Sequence, residues 1–274
     1  MICPICYKNC VSFGFHYKFN NQLICDKCVY DHFSTFNGIL TLEDARPFDY
    51  DFVPSNFIFQ RMPYERTDLY CGVELEINTK AKERRQLIND FITDSFFYFK
   101  NDASINVYGL EIVSHPGTLK YHLHNKWDKL FHFFKNNNIE NVRNCGLHFH
   151  FNRSAFTQDQ IASLDYFINS DKSFIENIGG RKLNTFCKLF RKPLSEYGRQ
   201  TFDRYVALNL KNKNTVEMRF FNSTVDYFTF KERLMSAFAL CEFARKYNSL
   251  CSDVQTNQQN YLKCFEKIKN KIMN

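Results

Sequence analysis

The stretch YCGVELEIN, residues 70–78, decides how the chain is read. Val73, Leu75 and Ile77 alternate with Glu74 and Glu76. A strand here buries one face and presents two carboxylates on the other. Like charges side by side on a sheet repel by some tenths of a kcal/mol, so something opposite them has to make the pair tolerable.

The same parity recurs further along. In CGLHFHFN (145–152), Leu147, Phe149 and Phe151 share one face, and His148 and His150 share the other. In NTVEMRFFNST (214–224), Val216, Met218 and Phe220 take the apolar side and leave Thr215, Glu217 and Arg219 together. Glu111 sits between Leu110 and Ile112. If these strands share one sheet, its polar face is a surface lined by carboxylates, imidazoles and a guanidinium.

Carboxylate oxygens suit hard divalent cations, magnesium with phosphate oxygens above all. Such a cation offsets the Glu74–Glu76 repulsion. Arg219 has the rigid fork that meets a transferring phosphoryl group. The residue types therefore point to a magnesium–nucleotide cluster. A plain solvated E-x-E face, a structural H-x-H pair and a surface Glu217–Arg219 pair are the ordinary alternatives to each element. Spacing does not separate a ligase from a metal hydrolase. The chain has no G-x-x-x-x-G-K-[ST], no G-x-G-x-x-G and no nucleophile elbow.

Around this core, KAKERRQLINDFITD reads as a helix, and FFYFKNDAS and NVYGLEIVSH as strands about a polar turn. TLKYHLHNKWDKLFHFFKNN reads as one helix with Leu123, Trp127, Leu130 and Phe134 on a common stripe. TQDQIASLDYFINS is a helix capped by Thr157, and RYVALNLKN is a strand. DYFTFKERLMSAFALCEFARKY is a long amphipathic helix capped by Asp226, and a basic helix follows from Val254. Mixed strands and helices with hairpin-like joins predict an α+β fold with a mostly antiparallel sheet.

At the amino end, Cys3, Cys6, Cys25 and Cys28 form C-x2-C-x18-C-x2-C. Paired knuckles of this kind converge on a tetrahedral, coordinatively closed structural zinc; Cys10, His16 and His32 stand near enough to replace a ligand. The expected organisation is a zinc-ribbon-like module over 1–35, a linker over 36–66, a larger domain over 67–250 and a helical tail over 251–274. The opening MICPICYKNC lacks the charged and apolar regions of a signal peptide, and LMSAFALCEFA is too short and interrupted to span a bilayer. The expectation is a cytoplasmic protein without membrane contact, whose eleven cysteines serve as metal ligands and buried thiols. Aromatic residues make up 17%, which excludes a disordered chain, and the net charge of +7 is a weak pointer to anionic partners.

Taken in order, GVELEI, NDASINVYGLEIVSHP, NCGLHFHFN, GGRKLN, RYVALNL and NTVEMRFFNSTVD resemble the amidoligase family. These are ATP-dependent carboxylate–amine ligases with a glutamine-synthetase-like fold. The resemblance runs over about 69–227 and leaves out the cysteine module. It implies joining of a carboxylate to an amine through an acyl-phosphate, on a peptide, protein or small amino compound. Carried over, Glu74, Glu76 and Glu217 are magnesium ligands. His148 or His150 binds metal or phosphate, the two being unranked. Arg219 stabilises the moving γ-phosphoryl group, and Arg181 meets nucleotide or substrate. Asp102, Ser104, Glu111 and Ser114 are placed for substrate, with Arg204 and Asn209 on the later strand. Two other readings stand beside it: a non-catalytic zinc-dependent adaptor for protein or, less favoured, nucleic acid, and a metal-dependent hydrolase using Glu74, Glu76, His148 and His150.

Overall fold

A computed structural model of the chain describes residues 16–19, 22–25, 59–91, 96–102, 105, 108–125, 127–139 and 144–273. Strands β1 (His16–Phe19) and β2 (Gln22–Cys25) form an antiparallel hairpin with His16 opposite Cys25. Cys3, Cys6 and Cys28 lie outside the described residues, as do most of the expected module and linker.

The body of the protein is α+β. In chain order it runs β3 (Cys71–Ile77), α1 (Ala81–Phe91), β4 (Phe97–Lys100), β5 (Leu110–Ser114), α2 (Leu119–His124), α3 (Trp127–Asn136) and β6 (Gly146–Asn152). It continues α4 (Gln158–Ser170), α5 (Lys172–Gly179), β7 (Leu208–Asn209), β8 (Thr215–Asn222), α6 (Tyr227–Lys246) and α7 (Val254–Met273). Six strands form one sheet in the order β4-β5-β3-β6-β8-β7, every neighbouring pair antiparallel.

The alternation read from sequence sets the two faces. Val73, Leu75, Ile77, Leu147, Phe149, Phe151, Val216 and Met218 are all fully buried on the core side. Helices cover them: Phe151 meets Phe238 of α6 at 5.0 Å between ring centroids, and Trp127 of α3 meets Phe230 at 4.4 Å. Each such ring contributes about 1.5–3 kcal/mol of burial. Helix α6 is buried on several sides, from Leu234 to Cys241 without a break and again at Phe243 and Ala244. It is not the one-sided amphipathic helix that its sequence suggests, because it lies between the sheet and α7, and a helix covered on both sides buries both.

Two further expectations are corrected. The single helix over 118–137 is two, broken at Asn125, which is extended (φ −103°, ψ 179°). The break lets Trp127 Nε1–H donate to His122 Nδ1 across the joint (3.2 Å), and both rings are fully buried. The strand expected over 204–212 joins the sheet only at Leu208 and Asn209, with a single parallel bridge from Val206 to Lys188 before it. The caps are as the sequence indicates. Thr157 and Gln160 form a reciprocal capping box on α4, and the Asp226 carboxylate accepts from Thr229 N (2.7 Å) on α6.

Between Leu147 and Phe149 the β6–β8 register slips: Leu147 faces Phe221, but Phe149 faces Met218. Strand β8 therefore carries an extra residue around Arg219 and Phe220. A bulge of this type twists the strand and re-aims side chains. Here it sits beside the polar face of the sheet.

Candidate functional site

The register brings the predicted polar residues into rows. Glu74 lies opposite His148 on one side and Val113 on the other, Glu76 is opposite Glu111, and His150 is opposite Glu217. Residues directly opposite share a face. Glu74, Glu76, Glu111, His148 and Arg219 line one cavity of about 400 Å³ with Asp102, Arg181 and Arg204. His150 and Glu217 lie beneath them. His150 Nε2 is 3.1 Å from Glu74 Oε2 and 3.8 Å from Glu217 Oε1. His148 Nδ1 is 3.5 Å from Glu74 Oε2, and its Nε2 is 3.8 Å from Glu76 Oε1.

This geometry answers how a sheet tolerates two neighbouring glutamates. Burial alone raises the Glu74 carboxyl, but the facing His150 charge and contacts from both imidazoles hold it well below the usual range. Burial depresses His150, yet Glu74 and Glu217 outweigh it and lift the ring to about 9. Glu217 follows Glu74: burial opposes ionisation, and His150 and Arg219 more than reverse it. Glu111 goes the other way. Burial, then the charge of Glu74, push its carboxyl well above normal despite Lys100 at 3.3 Å. The environment thus favours the protonated form of Glu111 and the ionised forms of Glu74 and Glu217.

Several buried polar atoms here have no hydrogen-bond partner: His148 Nδ1, His150 Nε2, Arg219 Nε and Glu111 Oε2. His150 Nε2 and Glu74 Oε2 meet as an ion pair at 3.1 Å. Three of these atoms lie in ion-pair range of an opposite charge, Glu111 Oε2 of Lys100 and both imidazoles of Glu74, which offsets part of the cost; with Arg219 Nε they leave the cluster open to a ligand that completes it. Glu74, His150 and Glu217 each offer a ligand atom, all within 4.8 Å of one another. Two carboxylates and, once a cation displaces its proton, the His150 imidazole fit a divalent ion at that spacing.

Strand and loop geometry fix the rest. Gly146 N donates to Glu76 Oε2 (2.5 Å), and a Cβ on Gly146 would stand 2.5 Å from His148 Nε2, so the absence of a side chain sets the His148 ring. Arg219 donates to Glu217 Oε1 from the bulged strand. Arg181 follows Gly180, whose left-handed backbone (φ 68°) ends α5 and turns the chain toward the cavity. The Arg204 guanidinium lies over the Tyr205 ring at 4.9 Å.

Two predicted residues are placed elsewhere, and one lies outside view. Ser114 is opposite in parity to Glu111: three residues apart on a strand, they cannot share a face. Its hydroxyl accepts from Val73 N (3.0 Å) on the core side, a structural bond. Asn209 does not line the cavity; its amide donates to Glu217 Oε2 (2.6 Å), so it orients a carboxylate from behind. Ser104 is outside the described residues. Residues that the sequence reading missed are Lys100, Asn144, Gly146, Asn184, Phe186 and Tyr205. Lys100 was discoverable, since it sits opposite Glu111 across the expected hairpin.

No protein-family model matches the chain, and no curated protein matches it. Among the described residues, no helix is long and apolar enough to cross a membrane.

Proposed function

We propose that the chain is an ATP-dependent carboxylate–amine ligase with a glutamine-synthetase-like sheet. The observation that carries the reading is the meeting of acidic side chains from three strands, two imidazoles and three arginines in and directly beneath one cavity. Ionised Glu74 and Glu217 with His150, joined by Glu76, suit magnesium, which when bound neutralises phosphate charge. The orphaned Arg219 Nε and the cavity-lining Arg181 and Arg204 suit anionic oxygens.

In the reaction, a substrate carboxylate oxygen attacks the γ-phosphorus of ATP, and the bond to the β-bridging oxygen breaks, releasing ADP. The amine then attacks the acyl carbon and phosphate leaves, so carboxylate, amine and ATP give amide, ADP and phosphate. This chain's residues position and neutralise: Arg219 binds the oxygens that gain charge, and Glu217, held by Asn209, keeps Arg219 in place. Glu111, whose protonated form burial favours, stands beside Lys100 where it can donate to a substrate oxygen. No side-chain nucleophile is needed, and the described lining holds no serine, threonine, cysteine or lysine.

The test is ADP release from purified protein with magnesium and a mixed pool of carboxylates and amines, with mass spectrometry for products one water lighter than the sum of their parts. Turnover that Glu76→Gln and Arg219→Ala abolish supports the reading; no ATP binding under any pool defeats it. A second reading, a metal hydrolase, is favoured by one observation: the compact Glu74–His150–Glu217 set also fits a transition metal. Tight zinc or manganese in that set, with hydrolysis and no ATP use, selects it. A structural zinc on Cys3, Cys6, Cys25 and Cys28 remains part of the proposal on its spacing, testable by zinc content of Cys3→Ser with Cys6→Ser.

A further inference from the structure

A second cavity of about 460 Å³ lies on the helical layer, away from the polar face of the sheet. Its floor is apolar: Leu69 and Phe238 are buried at 2% and 4% exposure, and Ile268 and Ile272 continue it along α7. Its rim is basic. Lys263, Lys267 and Lys271 form an i, i+4, i+8 stripe on α7, next to the apolar stripe, and Lys120, Lys246 and Arg66 stand on the other walls. All six are solvent-exposed.

Against these six cations the lining has two acids, Glu65 and Glu242, a local excess of four positive charges in a chain whose whole excess is +7. Glu65 is already engaged, accepting from Thr118 Oγ1 (2.5 Å) and Met62 N (3.3 Å). Lys246 lies over the Tyr247 ring at 4.9 Å and Lys263 reaches Asn260 Oδ1 at 3.5 Å, but among the described residues none of the six cations is paired with a carboxylate.

We infer that this groove binds an acidic amphipathic polypeptide segment, its apolar side chains on the Leu69–Phe238–Ile268 floor and its carboxylates against the lysines. Charge complementarity names the sign of the partner, and the apolar floor names its second requirement. The groove runs along α7 from Lys263 to Ile272, roughly 14 Å at 1.5 Å per residue, which matches two to three turns of a helix. A nucleic acid fits worse, because Glu65 and Glu242 stand in the wall and the most buried floor residues, Leu69 and Phe238, are almost inaccessible as stacking faces. An anionic membrane fits worse, because the surface is concave. The inference stands apart from the ligase reading and uses none of its residues.

The experiment measures fluorescence anisotropy of the full chain with a short labelled peptide of Glu, Leu and Ala whose leucines form one helical stripe. A scrambled peptide, poly-uridylate and phosphatidylserine vesicles are the comparison arms. The expected result is saturable binding of the patterned peptide, weakened by added salt. Lys267→Glu with Lys271→Glu should weaken it by about tenfold or more, as charge reversal at an interface does. Ile268→Ser should weaken it without altering the salt dependence. Both variants sit on an exposed or half-exposed helix face, and circular dichroism melts check that they fold. Equal binding of the scrambled peptide, indifference to the charge reversal, preference for RNA or vesicles, or no binding at all overturns the inference.

Discussion

Two buried charge clusters in this molecule are built in opposite ways. Beneath the loop that follows α5, Asp165 of α4 meets Lys192 Nζ at 2.7 Å, Gly198 N at 2.8 Å and Asn169 Nδ2 at 2.9 Å. Every strong acceptor site there is answered, and the neighbouring Asn169 also takes Phe190 N (2.6 Å). In the sheet cavity, three carboxylates compete for two imidazoles, and four buried polar atoms have no hydrogen bond. The first cluster is complete in itself and straps the 181–205 loop to the helical layer. The second is incomplete, which is costly unless a ligand completes it. The contrast separates residues kept for the fold from residues kept for binding, at positions equally hidden from solvent.

The largest expected effect breaks the strap. Asp165→Ala leaves the Lys192 ammonium buried without its counter-charge, with side-chain exposure of only 6%. Breaking such a pair costs about 3–5 kcal/mol, read as a drop in the urea midpoint. Replacing both partners by apolar residues, Asp165→Leu with Lys192→Met, should recover most of it. If the single substitution is silent, the strap is not what holds the loop that carries Arg181, Phe186 and Arg204.

Next comes His122, a buried group belonging to neither cluster. Its Nδ1 accepts from Trp127, and its Nε2 donates to Cys71 O (2.7 Å), so the ring is held as one neutral tautomer. Burial pushes its pKa down to about 4. Above pH 6.5 the ring is neutral in both folded and unfolded chains. As pH falls from 6.5 toward 4 the unfolded chain takes up a proton that the native one refuses, and stability declines. The shift of about 2.5 pH units corresponds to about 3 kcal/mol at most. Denaturation at pH 7 and pH 4.5 measures the loss, and His122→Asn should flatten it.

A third test acts within the cavity. Gly146→Ala puts a methyl against His148 Nε2 and leaves the backbone N–H to Glu76 in place. Displacing a group beside the ligands should weaken divalent-cation binding by roughly tenfold, with little change in the melting temperature. A large stability loss with unchanged metal affinity would place Gly146 with the strap and not with the site.

How much of this could be read before any coordinates follows from period and from its absence. Glu74, Glu76, His148, His150, Glu217 and Arg219 were legible because strand parity is rigid: alternate residues share a face wherever the strands pair. The same parity separates Glu111 from Ser114, which the motif-level reading had grouped. The β8 bulge was not legible, since an inserted residue leaves the local alternation intact and shows only against a partner strand. Asn144, Asn184, Phe186 and Tyr205 reach the cavity from irregular backbone, where side-chain direction has no period. The break at Asn125 was hidden for a different reason. The apolar spacing runs through it, and the His122–Trp127 bond that rewards it is a tertiary contact.

The smallest effect sharpens the comparison most. Glu111→Gln preserves shape and removes a carboxyl that burial and Glu74 hold well above its normal range. A carboxyl with a raised folded pKa works against folding: above about pH 4.5 the unfolded chain gains by ionising and the native chain does not. The variant should therefore be more stable than the parent at pH 7, by about 1 kcal/mol, with the advantage shrinking as pH falls toward 4.5. In the same protein, ATP-dependent turnover should fall. Stability gained with activity lost is what a residue kept for binding predicts. A Glu111→Gln chain that is less stable at pH 7 would mean that the Lys100 pair outweighs burial, and that the cavity, like the strap, is held together for the sake of the fold.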